Sequence, residues 1–233
     1  MRRSFTALAL LALIAPVLAS AQSPVIWSVE LPFRSRYLFA GIPFAAEQVQ
    51  QAQVTAAVGS FTINGFGVYD FEASDVTEAD VYADYYTQLN DGVGVYFGGA
   101  FYSFKLASGW ESTPELYAGL VFTAPLNPVL AVAHDFDLGD GTRVTASISH
   151  GMPLAENGAL LTLGADADYN AEYYTTESGI SYFDVYASLG IPLGAVTISP
   201  IVLIQRRVDD AFVGSIPDEE VFGVTASFSF GGG

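Results

Sequence analysis

Hydrophobic and polar residues alternate with a period of two along most of this chain. In Asp80–Leu89 one row is Val81, Ala83, Tyr85, Thr87 and Leu89, and the other is Asp80, Tyr82, Asp84, Tyr86 and Gln88. Leu161, Leu163, Ala165, Ala167 and Tyr169 likewise oppose Thr162, Gly164, Asp166, Asp168 and Asn170. The final segment separates Phe222, Val224, Ala226, Phe228 and Phe230 from Gly223, Thr225, Ser227 and Ser229. Such alternation marks strands with two unlike faces. It predicts twelve of them: Val25–Phe39, Ala52–Gly59, Phe61–Phe71, Asp80–Leu89, Val93–Phe104, Glu115–Thr123, Val129–Asp137, Arg143–Met152, Ala159–Asn170, Ile180–Ile191, Val196–Arg206 and Val221–Phe230. The gaps are by turns short and long. The short ones (Ser60, Asn90–Gly92, Pro125–Pro128, Pro153–Gly158, Leu193–Ala195) carry the Gly, Asn, Asp and Pro that tight turns require. The long ones are Ala40–Gln51, Glu72–Ala79, Lys105–Pro114, Ala171–Gly179 and Arg207–Glu220. Leu138–Thr142 is a tight turn where a long loop is due. Val196–Arg206 is apolar on both faces and contains Pro200, which removes a ladder hydrogen bond, so a bulge is expected there.

Alternation alone does not say which row is inside. Three features turn the apolar row outward, toward lipid. Twelve strands enclose a wide bore, which a row of Val, Ala and Leu would hardly fill. The polar row is small and wettable, rich in Gly, Ser, Thr and Asp. Aromatic residues of the apolar row gather near strand ends: Phe39, Phe71, Phe101, Phe136, Phe183 and Phe222 at the external side, and Trp27, Phe61, Phe122, Phe228 and Phe230 at the periplasmic side. In lipid every backbone N–H and C=O must be paired, so no edge strand is left open. The expected fold is all-β: a single closed antiparallel transmembrane β-barrel of about 12 strands, with short periplasmic turns and long external loops, in a bacterial outer membrane.

The N-terminus supports export. Arg2 and Arg3 precede the short apolar run Phe5–Leu18, and Ala19-Ser20-Ala21 is a small-residue cleavage site. A signal peptide at 1–21 and a barrel domain at 22–233 are expected. The apolar run is too short to span a bilayer as a helix. The absence of cysteine excludes disulfides, thiolate zinc sites and a lipid-modified cysteine. Two of the 8 basic residues fall in the leader, so the mature chain carries 6 against 25 acids, a net charge of −19. That acidity argues against nucleic-acid binding, and the single lysine, Lys105, argues against an ordinary secreted globular surface. A saline habitat would also select such acidity.

Four short stretches resemble the TorF-like family of proteobacterial outer-membrane porins. They are Ser35-Arg36-Tyr37-Leu38-Phe39-Ala40-Gly41-Ile42, Glu115-Leu116-Tyr117-Ala118-Gly119-Leu120, Pro125-Leu126-Asn127-Pro128 leading into His134-Asp135-Phe136-Asp137, and Ile148-Ser149-His150-Gly151-Met152-Pro153-Leu154. The resemblance implies a porin-like function.

With the apolar row outward, the lumen receives Glu30, Asp80, Asp84, Glu115, Asp135, Asp166, Asp168 and Asp184, against Arg34, Arg36 and Arg143. Negative charge inside a narrow low-dielectric tube concentrates cations and repels anions. The same residues fit two readings: a hydrated, cation-preferring diffusion channel for small hydrophilic solutes, or a closed structural or surface-interaction barrel whose arginines pair with facing acids. The excess of acids leans toward water in the lumen, because unpaired carboxylates need it. A weaker alternative is a lipid-modifying enzyme. Ser149 and His150 are neighbours on one strand and point to opposite faces, and Ser147 fails by the same parity. His134 with a serine from another strand is the one arrangement left for a triad. Asp135-Phe136-Asp137-Leu138-Gly139-Asp140-Gly141 lacks the spacing and distal Glu of a calcium loop and is better read as a turn on Asp140-Gly141. Asp209, Asp210, Asp218, Glu219 and Glu220 read as a solvated loop tip. No cofactor is implied. The expected partners are outer-membrane lipid and small solutes or cations.

Overall fold

The computed structural model describes residues 24–231; the expected signal peptide lies outside the described residues. The strands are β1 (Ile26–Arg34), β2 (Tyr37–Phe39), β3 (Ile42–Ala45), β4 (Val49–Val58), β5 (Phe61–Asp70), β6 (Asp75–Asn90), β7 (Val93–Leu106), β8 (Gly109–Phe122), β9 (Val129–Asp135), β10 (Thr142–Pro153), β11 (Leu160–Ala171), β12 (Ser178–Leu193), β13 (Val196–Arg207) and β14 (Glu219–Gly231). Twelve of them, β1 and β4–β14, form a closed antiparallel barrel in sequence order. Closure is made by β1, which pairs with β14 from Ile26↔Gly231 to Arg34↔Gly223 and with β4 on its other side. Pairing the first strand with the last leaves the barrel without an edge.

Adjacent residues show which way the wall faces. Leu116 is 58% exposed while Glu115 before it is 4% exposed; Phe183 is 44% exposed while Asp184 after it is 8% exposed. The apolar row is outside and the charged row inside, the reverse of a water-soluble barrel and the pattern that a surrounding bilayer stabilises. Phe71, Phe136, Phe183, Phe222, Trp27 and Phe230 are exposed on the outer surface, as the girdle pattern requires.

Several expectations are corrected. The first strand stops at Arg34, not Phe39. The chain bends at Ser35 and Arg36, and β2 and β3 then form a two-stranded hairpin of their own. Its two-residue turn, Ala40-Gly41, has φ of +50° and +80°. Positive φ at both central positions is the hairpin geometry whose twist matches its strands. Phe39 therefore does not belong to the outer girdle; it packs among aromatics inside the barrel mouth. The gaps expected at Glu72–Ala79 and Lys105–Pro114 are mostly strand, leaving only 71–74 and 107–108 as connections. Here Lys105↔Trp110 and Ser103↔Ser112 pair across β7 and β8, and Lys105 forms an ion pair with Asp75. Polar residues on both faces of these strand ends hide the alternation without preventing backbone pairing.

The bulge expected at Pro200 is absent. The β12–β13 register is the same before and after it, Ser188↔Ile201 and Ile191↔Ile198, and only the intervening pairs are missing from that ladder. Pro200 faces outward and keeps its place opposite Val224 of β14. Bulges fall instead at Val68/Tyr69, Gln88/Asn90 and Asp168/Tyr169. The apolar inner face of β13 also has a cause: Ile201 and Leu203, with Val221 of β14, face Leu38 of the hairpin across a cavity of about 160 Å³.

Candidate functional site: a barrel lumen crossed by a hairpin

The β2–β3 hairpin lies inside the barrel and reaches opposite walls. On one side the Tyr37 hydroxyl donates to Glu78 Oε1 of β6 at 2.9 Å. Phe39 packs against Tyr102 and Phe104 of β7, with ring centroids 5.3 and 5.4 Å away. On the other side Gln205 Nε2 of β13 donates to the Gly41 carbonyl at 2.9 Å. Ile42 packs against a buried cluster of Tyr182, Phe212 and Ile216. In the ring order β6–β7 and β12–β13 stand six strands apart, diametrically opposed. Gly41 must be glycine on two counts: its φ is positive, and a Cβ would run into the Tyr182 ring. The foot of the hairpin is fixed by Ala45 packed with Val49 and Val68, and by Tyr37 and Phe66 beside them.

Two further loops close on the hairpin. Between β11 and β12, Tyr173 stacks on Phe39 and Tyr174 stands edge-on to it, with ring centroids 6.4 and 5.3 Å away. The Tyr173 hydroxyl donates to Glu115 Oε2 and the Tyr174 hydroxyl to Asp135 Oδ2, the latter at 2.8 Å. Burial, with these carboxylates as neighbours, pushes both phenols well above their ordinary pKa and keeps them neutral donors. Between β13 and β14, a 3-10 turn (Asp210–Phe212), capped by Asp209, buries Phe212 and Ile216.

The sequence-derived candidates fall into distinct settings. Glu115, Arg143 and Asp168 are brought together around Tyr173. The Arg143 Nε lies 3.5 Å from Asp168 Oδ1, its guanidinium carbon sits 5.6 Å from the Tyr173 ring centroid, and Tyr102 donates to Glu115 at 2.9 Å. Asp84 lines a cavity of about 360 Å³ together with Tyr82, Tyr96, Tyr102, Glu115, Tyr117, Arg143 and Thr145. Asp166 and Asp184 are cross-strand partners on the inner face of β11 and β12. Asp80 accepts from the Ser103 N–H at 3.1 Å. Glu30 and Arg34 sit on the inner face of β1, and Arg34 donates to Thr225 Oγ1 at 2.9 Å. Arg36 stands in the bend before β2 and forms an ion pair with Glu219 of β14.

Asp135 serves a turn. Its Oδ1 accepts from the N–H groups of Asp137, Gly139 and Asp140 at 3.0, 2.7 and 3.3 Å and from Thr113 Oγ1 at 2.7 Å, which organises the 136–141 connection. Among the described residues no group of three or more His, Asp or Glu is placed to hold a metal ion. His134 does not meet a serine: its Nδ1 shares a hydrogen bond with Thr142 Oγ1 at 2.9 Å, and its ring stands edge-on to Phe136 at 4.6 Å. The acids near the last loop are occupied, Glu220 with Arg206, Asp218 with the Arg207 N–H, and Asp209 with the Ala211 N–H.

Several lumen residues escaped the sequence. Glu78, fully buried beside Asp80, has the same parity as Asp80 but falls two residues before the strand that alternation predicts. The tyrosines form the second group. Tyr117 lies over Gly98 and Tyr96 over Gly119, each the direct cross-strand partner of the other, so closely that a Cβ on either glycine would collide with the ring. The glycines let these rings lie flat on the wall instead of projecting into the bore.

No family model matches the sequence and no curated protein matches it. The structure, however, is similar to solved outer-membrane barrels. The KdgM porin in complex with disordered oligogalacturonate matches with a TM-score of 0.55 and 13% identity over 87% of this chain and 99% of that one. The NanC porin matches with a TM-score of 0.53 and 10% identity over 87% and 98%. The COG4313 outer membrane channel from Pseudomonas putida F1 matches with a TM-score of 0.51 and 11% identity over 89% and 96%. The chain shares the fold of these closed outer-membrane barrels.

Proposed function

We propose that this chain is a TorF-like outer-membrane porin that passes small hydrophilic solutes by diffusion and prefers cations. The observation that carries the reading is the charge of the inward row. Glu30, Glu78, Asp80, Asp84, Glu115, Asp166, Asp168 and Asp184 face the lumen from the barrel strands, against Arg34 and Arg143. A fixed negative wall in a tube surrounded by low dielectric raises the local cation concentration and excludes anions. The solute class then differs from that of the KdgM complex, since oligogalacturonate is a polyanion and this wall repels one. The inward hairpin sets access from outside.

The hairpin also favours a second reading, a closed barrel that presents acidic loops. Purified protein in planar bilayers under a potassium chloride gradient separates the two. The channel reading expects unitary current steps that reverse toward the potassium equilibrium potential. Absence of steps supports the closed barrel, and reversal toward the chloride potential overturns the cation preference.

A further inference from the structure

We infer that Asp166 and Asp184 form a binding site for a hard divalent cation of the calcium or magnesium class on the lumen wall. The two residues are direct cross-strand partners on the inner face of β11 and β12. Asp184 is 8% exposed, and its Oδ1 is buried with no hydrogen-bond partner among the described residues. Asp166 is half-buried and turned to the lumen, which gives the pair an entrance from water. The neighbouring acid, Asp168, is already satisfied by Arg143 at 3.5 Å and the Thr145 hydroxyl at 2.9 Å. Among the described residues no Lys or Arg nitrogen comes within 4.0 Å of Asp166 or Asp184.

Two carboxylates directly opposite each other on a ladder repel, and a buried oxygen without a partner adds a desolvation cost. A cation bridging the two removes both penalties. Two carboxylates and lumen water suit magnesium or calcium, which take oxygen ligands and retain waters where the protein supplies few. Soft metals are excluded by the absence of sulfur or imidazole at the pair. The site deepens the cation-channel reading and depends on it only for a hydrated lumen through which the ion arrives.

Terbium tests the site without any current being measured. Tyr182 and Tyr186 flank Asp184 at two residues on either side, on the same inner face, and would sensitise emission from a bound lanthanide. Full-length protein in detergent should show saturable terbium emission under tyrosine excitation, displaced by calcium or magnesium. Asp184→Asn and Asp166→Asn, each checked for the folded barrel by its heat-modifiable migration, should weaken the affinity by at least about tenfold. Asp91→Asn, in a periplasmic turn, should leave it unchanged. Emission that is not saturable, or that survives both lumen substitutions, overturns the site and leaves a shared proton as the means of joining the two carboxyls. The failures are distinguishable. Cation-selective current without terbium binding removes only this site, and terbium binding without current removes only the channel.

Discussion

Phe39→Ala should loosen the hairpin and leave the barrel intact. Phe39 meets four rings outside its own hairpin: Tyr102, Phe104, Tyr173 and Tyr174, at centroid distances of 5.3, 5.4, 6.4 and 5.3 Å. At ~0.5–1.5 kcal/mol for each aromatic pair, the cluster contributes ~2–6 kcal/mol. Truncating a fully buried Phe to Ala typically costs ~3–5 kcal/mol; Phe39 is half-buried, so the lower end, about 3 kcal/mol, applies. That raises the equilibrium constant for hairpin release by roughly 10². Tyr102 and Phe104 stand on β7, but Phe39 meets them ring to ring and not through the backbone pairs that close the barrel, so barrel closure is not what this energy supports. Native-state hydrogen exchange of the amides in 38–45 reads the release directly, and single-channel recording reads its consequence. The variant should lose protection in the hairpin alone and show larger or longer-lived current steps. Unchanged hairpin protection would refute the role of the aromatic cluster. Loss of hairpin and barrel protection together would show that the hairpin is not a separate cooperative unit.

Asp84→Lys places a cation in the wall of the 360 Å³ cavity; the reversal potential under a salt gradient should move toward the chloride potential, and an unmoved value would take Asp84 off the conduction path. Arg143→Ala leaves Asp168, whose side chain is 2% exposed, without its ion pair; stability measured by urea titration in detergent should fall by about 3 kcal/mol, the lower end for a broken buried pair because Arg143 is partly open to the lumen. Gly119→Ala should push Tyr96 off the wall into the bore, so unitary conductance should drop while the folded barrel still forms; unchanged conductance would show that the ring does not border the path.

The barrel was legible because its physics is local. Strand parity, turn residues and aromatic ends can be read in windows of about ten residues, and the inside-out sense follows from charge and bore size. The hairpin was not, because its position depends on residues far away in sequence. Leu38 faces Ile201, Leu203 and Val221, and Gly41 accepts from Gln205; no window around Tyr37 contains those partners. The double apolar face of β13 was the one trace of it in the sequence, and it was read as a sign of irregularity at Pro200 rather than of an inner cover. Parity is enough to place the acids of regular strands on one row. Glu78 was missed through a strand end placed too late, and the turn-organising role of Asp135 emerges only once Thr113 and Tyr174, on other elements, are brought to it.

The hairpin connects β1 to β4, and β1 is also the strand that the last one, β14, must find. Its contacts with β6 and β7 can form from the first half of the chain, but those with Tyr182 and Gln205 need the second half in place. The hairpin therefore seats fully only late in assembly, folding in through the open mouth once both walls stand, and it gauges how many strands the ring admits: a ring with fewer would crowd it, and a ring with more would leave one of its two ends without a wall to rest on.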